Sequence, residues 1–309
     1  MVPICYSPNY DITAFGLERL HPFDSIKYGR IARWLVQQGL RCAKDFRKPR
    51  PSTRRELLRV HSEAYLDSLR QRQVVARILE VRQVAYLPAW VTNWRVLRPM
   101  RWATGGTILA CQLALQCGLA INIGGGYHHA GPDYGGGFCV YADVPLALAT
   151  LHDQGLLRSA LIVDTDAHQG NGTADSIKDW SWAHILDFYE ENIYPWPKMP
   201  EPLGVPLSPR TNGAEYMDRL RDHLPRALDS VKPDLLIYNA GSDVLWSDPL
   251  AQLFLTADDM ADRDLYVITE ARQQGVAVAM VLSGGYGQAS WIAHARSIEG
   301  ILARFDKMS

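Results

Sequence analysis

Five short apolar runs recur along the 309-residue chain, and β-branched residues are frequent in them. They are LAINI (119–123), ALIVD (160–164), AHILD (183–187), DLLIYN (234–239) and VAVAMVL (276–282). Strands that are apolar on both faces suit a parallel sheet with helices on both sides. Stretches with helical spacing alternate with these runs, at 104–117, 143–154, 213–230, 257–274 and 288–304. The pattern therefore predicts an α/β fold, with a single doubly wound, mainly parallel sheet flanked by helices.

We expect one domain over residues 1–309. A chain of this length suits one large α/β domain or two ordinary ones, but no internal repeat, low-complexity tract or Ser/Gly linker divides it. The first hundred residues carry weaker strand signals and several Arg-rich helical stretches. The Pro-containing segment 194–209 (YPWPKMPEPLGVPLSP) is predicted to be a long surface loop.

The charge and cysteine content narrow the class of protein. Lys and Arg total 32 against 33 Asp and Glu, so no net field attracts a polyanion or an anionic membrane, and direct binding to nucleic acid is not expected. The five cysteines are odd in number and scattered, which favours a reducing compartment. No apolar run is long enough to span a bilayer, and no signal peptide begins the chain. We expect a cytoplasmic protein.

The segment 90–102 (WVTNWRVLRPMRW) is a local exception to this balance of charge. Arg and Trp together can grip phosphate and stack on bases. The favoured interpretation is that the Trp side chains pack and the Arg side chains extend along the surface to reach water.

Polar, Gly-rich clusters follow four of the predicted strands. In open α/β sheets, ligands bind beyond the carboxyl ends of the strands. The clusters therefore mark the predicted site; they are GGGYHHAGPDYGGGF (124–138), TDAHQGNG (165–172), AGSDVL (240–245) and SGGYG (283–287).

The second cluster suggests a metal site. If the chain stays extended after the strand, Asp166 and His168 point to the same side, with Asp164 beneath them. Asp243, at the end of another strand, is the best placed third ligand. Two carboxylates and one imidazole leave a coordination position open, which is typical of catalytic zinc, although Fe²⁺ or Co²⁺ also accept these ligands. A lone Asp-x-His triplet is more often a helix cap, so this interpretation depends on the other clusters.

His128 and His129 follow three glycines beyond a predicted buried strand. One imidazole can deprotonate the attacking water while the other stabilises charge or protonates the leaving amine. Tyr286 follows the last strand, and its phenol can donate a hydrogen bond to the substrate carbonyl as an oxyanion forms. Taken alone, a His pair or a Tyr is more often structural. Their shared position at the strand ends favours a catalytic site.

A second glycine run before an aromatic residue predicts a narrow channel for a linear methylene chain. Bare backbone and an aromatic wall leave a slot of that shape. The predicted channel residues are Gly136, Gly137, Phe138, Tyr194, Leu250, Gly284 and Gly285.

With these motifs in place, the sequence resembles the zinc-dependent histone deacetylases, and specifically their class IV members. The similarity runs over nearly the whole chain. Its segments include YSPNYDI (6–12), GLERLHPFDSIKYG (16–29), INIGGGYHHAGPDYGGGFCVYADV (121–144), DTDAHQGNG (164–172), YNAGSD (238–243) and SGGY (283–286).

The resemblance implies an arginase/deacetylase-like fold and hydrolysis of an acyl-lysine protein or peptide, or of a small acylated amine. Carried over residue by residue, it implies the same metal ligands, the same acid–base pair and the same carbonyl donor as the motifs above. It also implies that Asp164 pairs with His128 and, with backbone near Asp187, binds a structural K⁺. The acyl group is acetyl or a longer fatty-acyl group, and class IV similarity implies a preference for long fatty-acyl chains over acetyl.

The sequence departs from the class I pattern at Asn171, where those members have Asp. His129 is therefore expected to have a neutral partner, and which histidine is the base stays open. The segment 250–256 (LAQLFLT) replaces the usual glycines near the acyl pocket.

Three alternative functions remain. An arginase-type ureohydrolase needs two Mn²⁺ ions and further acids, but Gly170 and Leu245 occupy those positions. An acetylpolyamine or other small-amide hydrolase would keep the mechanism and change the substrate. A catalytically silent acyl-lysine binding module is the third, although such proteins commonly lose a ligand or the Tyr.

Overall fold

The computed structural model describes residues 1–13, 16, 23–287 and 289–308. Residues 17–22, which belong to the segment that resembles deacetylases near the N-terminus, lie outside the described residues. The same is true of residue 288, the first residue of the last predicted helix.

Eight strands form one sheet in which every pair is parallel, so the predicted fold class is confirmed. Their order across the sheet is β2-β1-β3-β8-β7-β4-β5-β6. The strands are β1 (Ile4–Cys5), β2 (Phe46–Arg47), β3 (Leu119–Asn122), β4 (Ala160–Asp164), β5 (Ala183–Glu190), β6 (Leu203–Leu207), β7 (Leu235–Asn239) and β8 (Ala277–Val281).

Helices connect the strands and cover the sheet. They are α1 (Lys27–Gln37), α2 (Arg54–Leu57), α3 (Glu63–Ser68), α4 (Arg72–Ile78), α5 (Ala89–Thr92), α6 (Arg98–Cys117), α7 (Asp143–Asp153), α8 (Asn171–Ile177), α9 (Gly213–Val231), α10 (Ala257–Gln273) and α11 (Ala289–Phe305). A π-helical segment, Asn93–Leu97, joins α5 to α6. None of the helices in the described ranges is both long and apolar enough to cross a bilayer.

Capping explains why two of the long helices begin where they do. The Asn212 side chain accepts a hydrogen bond from Glu215 N at the start of α9, and Thr256 accepts one from Asp259 N at the start of α10. In both cases the acid returns a bond to the backbone of the cap residue, which satisfies two N–H groups that the helix leaves without partners.

The central strands are buried on both faces, as their apolar runs predict. In β7, Leu236 and Tyr238 pack into one hydrophobic cluster, while Leu235 and Ile237 pack into a second cluster on the opposite face. Successive side chains of a strand point to opposite faces, so a continuous apolar run supplies both layers.

The prediction of a surface loop over residues 194–209 is wrong in one respect, because this segment contains β6. This strand pairs with β5 in register, Leu186 with Leu203 and Tyr189 with Pro206. Proline cannot donate to a ladder and is tolerated in an edge strand, which is where β6 lies. The prolines therefore hid a strand whose position depends on its partner.

Candidate metal and catalytic site

The strand register brings the predicted clusters to one edge of the sheet. Asp164, the last residue of β4, is level with Asn239, the last residue of β7, and Asn239 is level with Val281 of β8. The chain segments that leave these three strands therefore emerge side by side. They carry the candidate metal ligands and Tyr286.

Three side chains converge on one point at this edge. His168 Nδ1 lies 2.8 Å from Asp243 Oδ2 and 3.3 Å from Asp166 Oδ1, and one potential ligand atom from each residue lies within 4.8 Å of the other two. All three residues are buried. The structure thus brings together the three predicted metal ligands.

The remaining carboxylate oxygens are held in place. Asp166 Oδ2 accepts hydrogen bonds from Ser283 Oγ and Gly284 N, each at 2.9 Å. Asp243 Oδ1 accepts one from Ala167 N at 2.8 Å. Each acid therefore turns its other oxygen toward His168 in a fixed orientation, which is how neighbouring groups usually align metal ligands.

The carboxylates of Asp166 and Asp243 favour a positive charge between them and His168. Burial and the nearby Asp166 carboxylate raise the pKa of Asp243 to about 7. Burial opposes charging of His168, but Asp166 and Asp243 outweigh it and raise its pKa to about 10. A proton on His168 or a divalent ion can supply that charge. An N/O donor set of this kind fits zinc and also fits Fe²⁺ or Co²⁺.

His128 and His129 lie beside this group, with their rings in contact at a tilt of 48° and in unequal environments. Their ring centroids are 4.1 Å apart. His128 Nδ1 lies 2.9 Å from Asp164 Oδ2, whereas His129 Nδ1 lies 2.7 Å from Asn171 Oδ1. Both pairings match the sequence-based expectation.

The two imidazoles are driven to opposite charge states. Burial opposes the charged form of His128, but Asp164 and Asp166 outweigh it and raise its pKa to about 9. Burial, reinforced by the neighbouring His128 and His168, holds the pKa of His129 well below its usual value. These opposite shifts favour the imidazolium form of His128 and the neutral form of His129.

Asp143 anchors the glycine loop that carries this pair, and sequence reasoning missed it. Its Oδ1 accepts from Tyr127 N at 2.7 Å, and its Oδ2 accepts from Gly126 N at 2.9 Å and Thr107 Oγ1 at 2.5 Å. Gly126 has φ +84°, a conformation that side chains disfavour. The available signal was an acid at the start of α7, just after the glycine-rich segment.

Tyr286 follows β8, and its side chain extends toward the candidate metal group. Its ring lies 6.1 Å from the His168 ring and 5.8 Å from the Phe138 ring, measured between centroids. Its backbone N–H donates to Asp248 Oδ2 at 2.8 Å. Burial and the nearby Asp166 carboxylate keep the Tyr286 pKa well above its usual value, so the phenol keeps its proton and can donate it in a hydrogen bond.

Lys27 supports the backbone before Tyr286 and was also missed. Its buried Nζ donates to the carbonyl oxygens of Ser283 at 2.8 Å and Gly284 at 3.1 Å. Burial lowers its pKa to about 8. The same two residues bind Asp166, so Lys27 braces both the metal group and the tyrosine. Sequence patterns offer no signal for it, because Lys is rarely buried.

A largely apolar cavity opens beside these residues. It measures about 850 Å³, including the part open to solvent, and His128, His129 and Tyr286 line it. Three predicted channel residues, Gly137, Phe138 and Gly284, also line it. Its lining includes six aliphatic or Met side chains, which are Ile12, Leu79, Val81, Val84, Val96 and Met100, together with the aromatic rings of Phe23, Tyr28 and Tyr127.

Four predicted channel residues do not line this cavity; they are Gly136, Tyr194, Leu250 and Gly285. Tyr194 instead packs edge-on against the His129 ring at 4.9 Å, and its hydroxyl faces Gly136. Leu250 is 37% exposed on the loop after Asp248, to which its N–H donates. Gly285 faces the Ser242 hydroxyl rather than the cavity. The channel prediction was wrong for Leu250 and Gly285, because the loop path that turns them away depends on tertiary hydrogen bonds.

Asp187 lies next to Asp164 in the β4–β5 ladder, behind the metal group. Its Oδ2 accepts from Gly170 N at 2.7 Å, while its Oδ1 has no hydrogen-bond donor among the described residues. Burial, with Glu201 and Asp164 nearby, raises its pKa well above the usual value. A buried carboxylate with an unused oxygen is compatible with a bound cation.

An eight-stranded parallel sheet with such a site at its carboxyl edge defines an arginase/deacetylase-like protein. Residues 21–301 match the family described as "Histone deacetylase domain", and the chain belongs to that family of hydrolases. It is similar to "Histone deacetylase 2" of Arabidopsis thaliana, with 41% identity over 303 residues, which covers 97% of this chain and 78% of that protein.

Solved structures show the same fold. A histone deacetylase homologue from Aquifex aeolicus aligns with TM-score 0.77 and 22% identity, covering 98% of this chain and 83% of that one. An acetylpolyamine aminohydrolase from Burkholderia pseudomallei aligns with TM-score 0.75 and 20% identity, covering 98% and 99% respectively.

Proposed function

We propose that this chain is a zinc-dependent deacylase of class IV type that hydrolyses the amide bond of N-acyl-lysine, with acetyl or longer fatty-acyl groups. The observation that carries this proposal is the convergence of Asp166, His168 and Asp243 next to His128 and Tyr286, which together with His129 line the apolar cavity. We further propose that residues 1–309 form a single catalytic domain. The five free cysteines support a cytoplasmic location.

Asp166, His168 and Asp243 would hold the divalent ion, with Zn²⁺ proposed and Fe²⁺ or Co²⁺ as alternatives. When bound, such an ion polarises the amide carbonyl and makes water more acidic. The three side chains must give up the proton that they otherwise share. Their fixed outer oxygens would keep the site open on the side that faces the cavity.

The unequal histidines have distinct proposed roles. Neutral His129 accepts the proton of the attacking water, and Asn171 orients its ring through Nδ1. His128, held as an imidazolium by Asp164, stabilises the negative charge that develops and donates a proton to the leaving lysine amine. Their low and raised pKa values support this assignment of base and acid.

Tyr286 is proposed to donate its phenolic hydrogen to the carbonyl oxygen as that oxygen gains charge. Phe138 packs edge-on against the Tyr286 ring and Gly137 lies beside it on the cavity wall. A Cβ on Gly137 would meet the His129 ring at 2.3 Å, so a bare backbone is needed there.

The aliphatic part of the cavity lining supports a long acyl chain. Ile12, Val84 and Met100 present apolar surface in the same cavity as His128 and His129. Each buried methylene stabilises a bound chain by about 0.8 kcal/mol. Fatty-acyl groups are therefore the proposed preferred substrates.

A structural K⁺ is proposed next to Asp164 and Asp187. The unused Oδ1 of Asp187 and the raised pKa of that acid support a cation there. Oxygen-rich sites of this kind suit hard cations.

An acetylpolyamine or other small amide is the alternative substrate. This alternative is supported by the similar fold of the Burkholderia acetylpolyamine aminohydrolase. The chain is also similar to the "Acetoin utilization protein AcuC" of Staphylococcus xylosus, with 23% identity over 297 residues. The aliphatic cavity favours fatty-acyl chains over acetyl groups. No second cluster of three metal-ligating residues accompanies the first in the described chain, which argues against a two-metal ureohydrolase.

The test is a panel of acetyl-, octanoyl- and myristoyl-lysine peptides with N-acetylputrescine, using zinc-loaded protein. We expect kcat/KM to rise by about tenfold or more from acetyl to myristoyl. Met100→Trp should fill the cavity and remove that gain while leaving acetyl turnover nearly unchanged. Hydrolysis of N-acetylputrescine alone would support the alternative, and no hydrolysis of any amide would reject the enzyme proposal in favour of a silent binder.

A further inference from the structure

A second concave surface lies among the helices of the first hundred residues. We call it the arginine groove and define it by Arg54, Arg70, Arg72, Trp90, Asn93 and Arg101. It measures about 1010 Å³, including the part open to solvent. Four arginines line it and no acid does, although the whole chain has a net charge of −1. This concentration of positive charge is therefore local and has no counterpart in the overall composition.

Two of the arginines have carboxylate partners outside the groove. Arg54 contacts Glu63 at 3.2 Å and Asp67 at 3.1 Å, and Arg70 lies 3.6 Å from Asp67. Neither acid lines the groove itself. The positive charges of Arg54 and Arg70 are thus partly neutralised by acids that lie outside the groove.

The other two arginines are not neutralised by a neighbouring acid. Within the described chain, no carboxylate lies within 4.0 Å of Arg72 or Arg101. Arg72 donates to the Leu87 carbonyl at 3.1 Å, and Arg101 donates to Asn93 Oδ1 at 3.2 Å. A guanidinium has five N–H donors, so both keep several available. The Nε of Arg101 is buried without a partner.

An aromatic side chain stands at the edge of the same groove. Trp90 is 67% exposed, and Trp94 nearby is 47% exposed, so the expected packing of these tryptophans was wrong. The groove floor is apolar and includes Leu57, Leu66 and Leu97. An apolar concave lining with a few fixed polar groups is typical of small-molecule sites.

We propose that the arginine groove binds a phosphorylated small molecule of nucleotide size. Arg72 and Arg101 hold its phosphates through bidentate hydrogen bonds, and Trp90 stacks on its ring. Arginine suits this role because its planar fork matches phosphate oxygens. The groove is a local concavity with one exposed tryptophan in its lining, which suits one ligand rather than a nucleic acid strand that would need successive stacking rings.

The arginine groove and the apolar cavity beside His128, His129 and Tyr286 share a helical wall. Val96 and Met100 face the cavity, whereas Leu97 and Arg101 face the groove. The wall includes the π-helical segment Asn93–Leu97, a geometry that often occurs at functional sites. A bound phosphate compound would therefore contact the back of the wall that shapes the cavity.

Calorimetric titration of the full chain with Mg·ATP, adenosine and tripolyphosphate tests the proposal. The Arg72→Gln/Arg101→Gln variant should bind Mg·ATP about tenfold or more weakly, because the phosphates lose their charge-assisted hydrogen bonds to two guanidinium groups. Trp90→Ala should weaken Mg·ATP and leave tripolyphosphate unchanged. The matched control is Arg55→Gln/Arg98→Gln, which removes exposed arginines of α2 and α6 outside the groove and should bind as the parent does.

Absence of saturable binding by both Mg·ATP and tripolyphosphate would overturn the proposal, as would equal affinity of the groove variant and its control. Displacement of Mg·ATP by an oligoglutamate peptide of higher affinity would also overturn it, in favour of an acidic protein segment. Melting curves confirm that each variant is folded. Binding is measured without an acyl substrate, so a negative result leaves the proposed deacylase activity to its own test.

Discussion

Two adjacent histidines acquire opposite protonation states because their partners differ. His128 faces the Asp164 carboxylate, whereas His129 faces the neutral amide of Asn171 and lies beside the charged His128. Like charges in contact cannot both form easily in a buried site. Burial together with the neighbouring His128 and His168 therefore holds the pKa of His129 low, while Asp164 and Asp166 raise that of His128.

Tyr286→Phe tests the residue that is proposed to bind the carbonyl oxygen. We expect turnover to fall by about a hundredfold or more, because one oxyanion donor is lost, while metal content stays the same. Steady-state kinetics and metal analysis measure the two quantities. Tyr266→Phe, a partly exposed tyrosine on α10, is the matched control and should keep full activity. Unchanged turnover in Tyr286→Phe would remove this tyrosine from the mechanism.

At the scale of elements, the loop that carries His128 and His129 depends on a helix that follows it in the sequence. The chain leaves β3, turns through Gly125 and Gly126 with positive φ, and is then tied to Asp143 at the start of α7. The acid replaces the hydrogen bonds that a strand would have supplied to these N–H groups. The loop is therefore an ordered part of the fold.

Asp143→Asn should loosen this loop. The amide keeps only one acceptor atom and directs N–H groups at a backbone donor, so we expect the free energy of unfolding to fall by about 1–3 kcal/mol. We also expect kcat to fall more than KM rises, because His128 and His129 lose their alignment. Denaturant unfolding and kinetics measure this. The control Asp229→Asn, exposed on α9, should stay within about 0.5 kcal/mol of the parent, and an equally stable Asp143→Asn would contradict the anchoring role.

At the scale of the molecule, the candidate metal group joins two separate crossovers of the sheet. Asp166 and His168 follow β4, and Asp243 follows β7. An ion bound there would link neighbouring parts of the fold that are far apart in sequence. Its binding free energy would add to the stability of the folded chain.

Removal of the ion should therefore lower the melting temperature. A free ion concentration about a hundredfold above its dissociation constant stabilises the fold by about 2.7 kcal/mol. His168, with its pKa raised to about 10, must lose a proton when the ion binds, so affinity should increase as pH rises toward that value. Melting curves with and without a chelator measure the first effect, and calorimetry in buffers of different ionisation enthalpy measures proton release. Asp243→Ala should show no chelator effect; a shift equal to that of the parent would mean that the ion binds elsewhere.

Several features of the fold and site could be predicted from local patterns. The central strands and long helices follow from apolar periodicity; α7, α9, α10 and α11 lie within one residue of their predicted bounds, whereas α6 begins six residues before the predicted start at 104. The ligand and catalytic candidates follow from their positions at strand ends. Strands β1, β2 and β6 could not be predicted in this way, because two are only two residues long and the third contains Pro206. Lys27 and Asp143 were missed because their partners lie on other elements.

By itself, the sequence determined the alternation of buried strands with amphipathic helices, because apolar periodicity is a local property of the chain. It also determined which polar groups stand at the strand ends. Only the tertiary structure decided that β4, β7 and β8 are neighbours, that Lys27 braces the backbone before Tyr286, and that Leu250 turns away from the cavity. Those outcomes depend on strand order and on hydrogen bonds between distant segments, which local patterns do not encode.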